Sequence, residues 1–359
     1  MLIERLPGDA RDDLHVSGFS RRELGRITLL LGMGAATMGR AATPEAGQTH
    51  LIASRDSYAD FVRMGWGTFN TPSVDQLSAA QILNALYSYA AEYNPNHVAA
   101  KSPLAGTALY GAMATLIQAT APHTIRAQQG DWPDITGQVD SFFKYYTAKA
   151  NGISPPVNEL AEQLTQDYLH IYPNQQAPVN WRIILNVLPS DMAAAMAALA
   201  PLLNAYASAA QMKFLSPGNV DKADSVIVYC SRSDSNDYAA LERAVLSAAA
   251  NLNLQPRVGA MYEEIRPGIG VAAEPPMEGV SFTQFRCLIV YLAYRQYVAA
   301  PQRRGNPNFA DFREFLAQAM SIFGLDVNSP YKHGPLQKQS PHFAQWWDAL
   351  ETLRRSWTG

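Results

Sequence analysis

Cysteine is nearly missing from this chain. Cys230 and Cys287 are the only two, they lie far apart, and neither has a CxxC or Cys/His neighbourhood. That argues against a structural zinc site and leaves the question of a disulfide open. The seven histidines are scattered, with no HExxH and no pair at i and i+4, so no metal-ligand spacing is present. Charge is also scarce: Asp, Glu, Lys and Arg make up 16% of the 359 residues against 48% hydrophobic ones. A chain of that balance folds around a core and is not a disordered tail. The net charge of −3 gives no broad electrostatic case for nucleic acid or an anionic membrane, so any anion site must be a local cluster. No G-x-S-x-G elbow and no repeat of 20–50 residues occur, which sets aside the hydrolase elbow and solenoid architectures. "GIGVAAE" has the look of a dinucleotide loop, but it follows Pro267 and no clear strand. Pro275 and Pro276 would also block the helix such a loop needs.

The N-terminus carries a signal of its own. Arg21 and Arg22 precede a short apolar stretch from Ile27 to Gly39, followed by Arg40 and the small residues Ala41 and Ala42. Residues 1–42 resemble a twin-arginine export signal, which implies a periplasmic or secreted protein. An N-terminal amphipathic helix with two surface arginines, in a cytoplasmic protein, is the alternative. The apolar stretch is too short for an ordinary membrane span, so no stable span is expected.

From there to residue 177 the pattern is helical. "SVDQLSAAQILNALYSYAAEY" repeats apolar residues at helical spacing, with Ser73 as its expected N-cap. "SPLAGTALYGAMATLIQATA" and "GQVDSFFKYYTAKANG" read as two more helices. At Pro178 the texture changes. "WRIILNV", "AQMKFLS" and "DSVIVYCS" read as strands, and "PSDMAAAMAALAPLLNAY" and "DYAALERAVLSAAANLNL" as helices between and after them. "RPGIGVAAEPP" reads as a Gly/Pro-rich loop, and Ser281 as the N-cap of the long helix "SFTQFRCLIVYLAYRQYVA". "NPNFADFREFLAQAMSIFGLDV" forms a last helical region before a polar tail. The expected fold class is α+β: a helical region over 43–177, then a mixed, mainly antiparallel sheet packed by helices over 178–345.

Cations sit on or beside these strands. Side chains alternate along a strand, so Arg182, Ile184 and Asn186 point one way and Trp181, Ile183, Leu185 and Val187 the other. Lys213 lies between Met212 and Phe214, apolar neighbours that would desolvate its ammonium and favour the amine form that accepts a proton. Lys222 precedes the strand of Tyr229, and Arg286 opens an otherwise apolar helix. Each alone reads as a snorkelling or salt-bridged side chain. Together, on consecutive elements, they suggest a pocket for a phosphate or carboxylate. Glu263, Glu264 and Glu274 are dispersed carboxylates with no spacing that demands a pair.

The runs "WRIILNVLPSDMAAAMAALAPLL", "AQMKFLSPGNVDKADSVIVYCS" and "RPGIGVAAEPPMEGVSFTQFRCLIVYLA" resemble the HopA-type effector family of type III secretion. That family also supplies the lyase component of class V lanthipeptide synthetases and is distantly similar to the bacterial phosphothreonine lyases. The resemblance spans about Trp181 to Val298. It implies a carbon–oxygen lyase that removes phosphate from phosphothreonine or phosphoserine by β-elimination, leaving a dehydroamino acid, with no metal or organic cofactor. It also implies a phosphorylated peptide or protein as substrate, with a partner kinase supplying the phosphate.

By the same resemblance Lys213 is the base for the α-proton, with Tyr229 at the end of the central strand. Arg182 and Arg286 grip the phosphate. Lys222 stands near a further phosphate-binding position, although the turn there differs in length. One position departs from the lyases: Ile184 stands where they carry a histidine acid. A phosphate held by cations can leave without a dedicated acid, because the cations offset its developing charge, and Tyr229 is an alternative donor. A non-catalytic effector or phosphate/peptide-binding pseudoenzyme of the same fold is the other reading.

Overall fold

A computed structural model describes residues 61–70, 76–92, 103–105, 108–109, 111–113, 115–116, 168–173, 177–219, 222–300 and 308–358. The export-signal region, Ser73 and the helix expected at "GQVDSFFKYYTAKANG" lie outside these residues. Among the described residues no helix is long and apolar enough to cross a membrane.

Six strands form one antiparallel sheet in the order β1-β3-β4-β2-β6-β5. They are β1 (Tyr168–Ile171), β2 (Trp181–Leu185), β3 (Ala209–Leu215), β4 (Val226–Cys230), β5 (Glu263–Arg266) and β6 (Ile269–Ala273). The fold class is α+β, as the strand and helix texture implied. Three placements differ from the sequence reading. Strand β1 lies inside the stretch expected to be helical; its Tyr168, His170 and Tyr172 alternate with Leu169 and Ile171, a period of two in too short a run to stand out.

The second difference is the segment read as a loop, which is the β5–β6 hairpin. Pro267 and Gly268 form its two-residue turn, and Gly268 has φ +76°, the third position of a type II turn. A Cβ there would meet the Gln255 carbonyl oxygen at 2.2 Å, so only glycine fits. Gly/Pro content signals the turn here, and β-branched Ile269 and Val271 beside it signal a strand.

The third is the tail, which folds as a helix that buries Trp346, Leu350 and Leu353. In chain order the helices beside the sheet are α1 (Ala79–Tyr87), α2 (Met192–Leu199), α3 (Leu202–Ala205), α4 (Ser235–Ala248), α5 (Phe282–Ala299), α6 (Phe309–Ile322) and α7 (Phe343–Thr358).

Local chemistry sets their ends. Ser78 and Gln81 form a capping box on α1, and Ser281 and Gln284 form one on α5, each satisfying two orphan backbone N–H groups. Asp234 caps α4 by accepting from the backbone of Asn236 and Asp237. Proline at 201 divides the apolar run after β2, separating α2 from α3.

Register assigns the two faces of the sheet. Trp181, Ile183 and Leu185 share one face with Met212, Phe214, Val226, Val228 and Val271. All are buried, and Trp181 meets Tyr238 of α4 edge to face, with ring centroids 6.4 Å apart. The other face carries Arg182, Lys213 and Tyr229, and the first turn of α5 reaches over it. Asn186, also on that side, is structural: its amide donates to the Arg257 carbonyl at 2.6 Å and ties down the loop before β5.

Candidate functional site

Two cross-strand rows build the site. In one, Gln211, Tyr229, Arg182 and Ala272 lie opposite one another on β3, β4, β2 and β6. In the next, His170, Lys213, Ile227, Ile184 and Gly270 do the same from β1 to β6. Directly opposed residues in an antiparallel pair project from the same face, so these side chains share one surface.

Tyrosine rings link the cations. The Arg182 guanidinium carbon lies 5.1 Å from the Tyr229 ring centroid, and Lys213 Nζ lies 5.3 Å from the same centroid. Lys213 Nζ is also 5.7 Å from the Tyr168 ring, over which Lys222 Nζ sits at 4.8 Å. Arg182, Lys213, Lys222 and Tyr229 are thus brought together by two rings, each contact a favourable cation–π geometry.

Arg182 is buried and already paired. Its Nε and Nη2 donate to the two carboxylate oxygens of Glu274, the second at 2.8 Å. Its Nη1 donates to the Tyr262 hydroxyl at 3.3 Å, and the Phe282 ring lies 5.0 Å away. Burial opposes the charge of Arg182, but the Glu274 carboxylate beside it, with Tyr262 and Tyr229, raises its pKa well above the ordinary arginine value. Tyr262 stacks on Phe282 at 4.4 Å and comes close to β6, where a Cβ on Gly270 would meet Tyr262 Cβ at 3.1 Å. The absence of a side chain at Gly270 makes room for it.

The Asp224 carboxylate closes the other end. Tyr168 donates from its hydroxyl to the Asp224 carbonyl at 2.9 Å and to its carboxylate at 3.2 Å, and Tyr262 reaches the other carboxylate oxygen at 3.5 Å. Burial pushes the Asp224 carboxyl up, while Arg182 and Lys222 pull it back. Burial, then Asp224, drives the Tyr168 hydroxyl well above its usual range. Burial is also the main cause for Tyr262, with Arg182 opposing, so both hydroxyls stay protonated donors.

His170 sits in register with Lys213, and its Nδ1 lies 2.9 Å from the Gln211 amide nitrogen. Burial, then the Lys213 charge, lowers its pKa to about 4, so the ring is neutral at ordinary pH.

Arg286 takes a different place. It is 1% exposed; its Nε donates to the Pro330 carbonyl at 2.8 Å and its Nη1 to the Phe282 carbonyl at 3.3 Å. Its guanidinium carbon lies 3.6 Å from the Phe282 ring centroid, the same ring that neighbours Arg182. Phe282 therefore stands beside both arginines, and Arg286 donates to the backbone at the start of α5 and at Pro330. Ile184 is fully buried in the Lys213 row.

Sequence reasoning missed Tyr168, His170, Asp224 and Tyr262, and gave Glu274 no partner. The alternation Tyr168-His170-Tyr172 is the one local signal for the first two, and the run is too short for it to stand out. Asp224, Tyr262 and Glu274 had none, because they meet Arg182 and Tyr168 only through the sheet order.

Among the described residues, one antiparallel sheet with a cation-and-tyrosine face, met by the first turn of α5, marks an α+β domain. The model of the HopA1 effector protein family matches residues 159–332 of this chain. That match takes in all six strands and the whole of α5 and α6. Two solved effector structures share the fold. One, from Pseudomonas syringae pv. tomato strain DC3000, has a TM-score of 0.57 at 16% identity, covering 80% of this chain and 100% of its own. The other, from Pseudomonas syringae pv. syringae strain 61, has a TM-score of 0.55 at 16% identity, covering 79% and 99%. No curated protein matches the chain.

Proposed function

We propose that this protein is a phosphothreonine/phosphoserine lyase-like effector that acts on a phosphorylated peptide or protein. The observation that carries this reading is the shared Tyr229 ring, which sets the guanidinium of Arg182 and the amine of Lys213 on adjoining parts of one sheet face. In the proposed step the Lys213 amine takes the α-proton of the phosphorylated residue. The electron pair left on Cα forms the Cα=Cβ bond, the Cβ–O bond breaks, and its electrons leave with phosphate. Arg182 and Lys222 offset the charge that builds on the departing group. Tyr229, between the cations, orients them and offers its hydroxyl to the leaving oxygen. Arg286 acts at one remove, by fixing Phe282 against Arg182.

A kinase acting as a separate partner supplies the phosphate ester. The effector reading and the arginine pair at Arg21 and Arg22 both favour a site of action outside the cell that makes the protein, by a secretion or export route.

A second reading, phosphate or peptide binding without turnover, is favoured by Ile184, an apolar side chain where the lyases carry a histidine acid. Incubation with a phosphothreonine peptide followed by mass spectrometry separates the two. Loss of the elements of phosphoric acid is the expected result. Loss of only the phosphoryl group would mean hydrolysis, and an unchanged peptide that nevertheless binds would select the second reading.

A further inference from the structure

The guanidinium proposed to grip phosphate is not waiting empty. Glu274 covers its Nε/Nη2 edge with both carboxylate oxygens, Tyr262 occupies an Nη1 hydrogen, and Tyr229 and Phe282 cover the planar group. A bidentate carboxylate takes the same edge of arginine that a phosphate takes. Glu274 is held there by its backbone. It is the residue after β6, its N–H donates to the Asn180 carbonyl at 3.0 Å, and Ala273 before it donates to the Tyr331 carbonyl at 2.7 Å. Pro275 and Pro276 follow and stiffen the chain beyond it. Of the two partners Glu274 is the more exposed, 12% against 4%, so it stands on the solvent side of the pair.

We propose that Glu274 is a specificity-determining residue, an internal carboxylate that an incoming anion must displace from Arg182, which makes the site select a phosphate dianion over a carboxylate. The inference rests on the phosphate-binding reading of Arg182 given above. An external carboxylate offers Arg182 no more charge than Glu274 already supplies, and Glu274 competes at the high effective concentration of a tethered group. A phosphorylated side chain carries a charge of about −1.5 to −2 and three acceptor oxygens. It can engage Arg182 while its remaining oxygens face Lys213 and Lys222, which lie over the rings of Tyr229 and Tyr168. Glutamate or aspartate in a substrate gains nothing comparable, so the site rejects them by competition.

Calorimetric titration of two peptides into the full chain tests this: a phosphothreonine peptide, and the same peptide with glutamate in place of phosphothreonine. The wild type is expected to bind the first and not the second. Glu274→Gln, which keeps the shape and removes the charge, is expected to bind the phosphopeptide about tenfold tighter and to admit the glutamate peptide. Weaker or unchanged phosphopeptide binding, with discrimination intact, would make Glu274 an orienting partner of Arg182 and overturn the inference while leaving the site reading in place. No phosphopeptide binding by either protein overturns both. Because Glu274→Gln disturbs a buried pair, the wild type provides a second measurement. The Nε–H resonance of Arg182, identified by its loss in Arg182→Lys, should move on adding phosphopeptide and stay put with the glutamate peptide. A resonance that ignores phosphopeptide shows that Glu274 is not displaced.

Discussion

The two faces of the sheet are made by the same four-to-seven-residue strands, yet they obey different rules. On one face Ile183, Leu185, Met212, Phe214, Val226 and Val228 are fully buried, and their burial stabilises the fold. On the other, Arg182, Lys213 and Tyr229 are spaced by the same pleat, and cations and rings stand among the aliphatic Ile184 and Ile227. A strand alternates two side-chain sets at no cost in backbone geometry, so one set can serve the core while the other serves chemistry. The difference teaches that the site is rigid because its reverse side is the core, and that the two sets of residues should fail in different ways when altered.

The sharpest break in that comparison is Lys213→Ala. Removing the proposed base should slow elimination by about 10²–10⁴-fold while phosphopeptide affinity changes only a few-fold, as read by mass spectrometry and calorimetry. Equal loss of both would mean that Lys213 serves binding and another residue takes the proton. Its neighbour in sequence, Phe214, lies on the opposite face and is 0% exposed. Phe214→Ala should cost about 3–5 kcal/mol in urea unfolding, through a lost side chain and the cavity left behind, whereas Lys213→Ala should move stability far less.

The ends of the Lys213 row should titrate in opposite senses. Glu264, in register with Gly270, has a pKa raised from its usual value to about 7, mainly by burial with Arg257 opposing. The native state then holds that proton more tightly than the unfolded chain. Its stabilising effect is full below about pH 4.5 and is lost as pH rises to about 7. His170, lowered to about 4, holds its proton less tightly when folded, so its effect is lost as pH falls from about 6.5 toward 4. Each amounts to roughly 3 kcal/mol at most. Glu264→Gln should remove the decline between about pH 4.5 and 7, and His170→Gln the decline on the acid side; unfolding curves across pH check both. A Glu264→Gln protein with the wild-type slope would assign that slope to another group.

The smallest effect expected is that of Tyr229→Phe. The ring stays under Arg182 and Lys213, so phosphopeptide affinity should hold within about twofold, while Tyr229→Leu should lose on the order of 1 kcal/mol. Equal affinity in the two variants would show that the ring itself contributes nothing to holding the cations.

Local pattern fixed much of this protein. The alternation in "WRIILNV" placed Arg182 on the face opposite Ile183 and Leu185, "AQMKFLS" and "DSVIVYCS" gave Lys213 and Tyr229 their strands, and Ser281 marked the start of the long helix. Each of these follows from a period of two or from a cap, which are properties of consecutive residues. What adjoined what was decided by the sheet order β1-β3-β4-β2-β6-β5, which no local period encodes. That order put β6 beside β2, and so Glu274 on Arg182. It put β1 beside β3, and so Tyr168 and His170 next to Lys213. Packing between distant segments also set Arg286 behind Phe282, where its Nε and Nη1 donate to the Pro330 and Phe282 carbonyls. Which residues could carry charge on the polar face is written in the strand period; which of those charges are paired follows from strand neighbours that lie far apart in the chain.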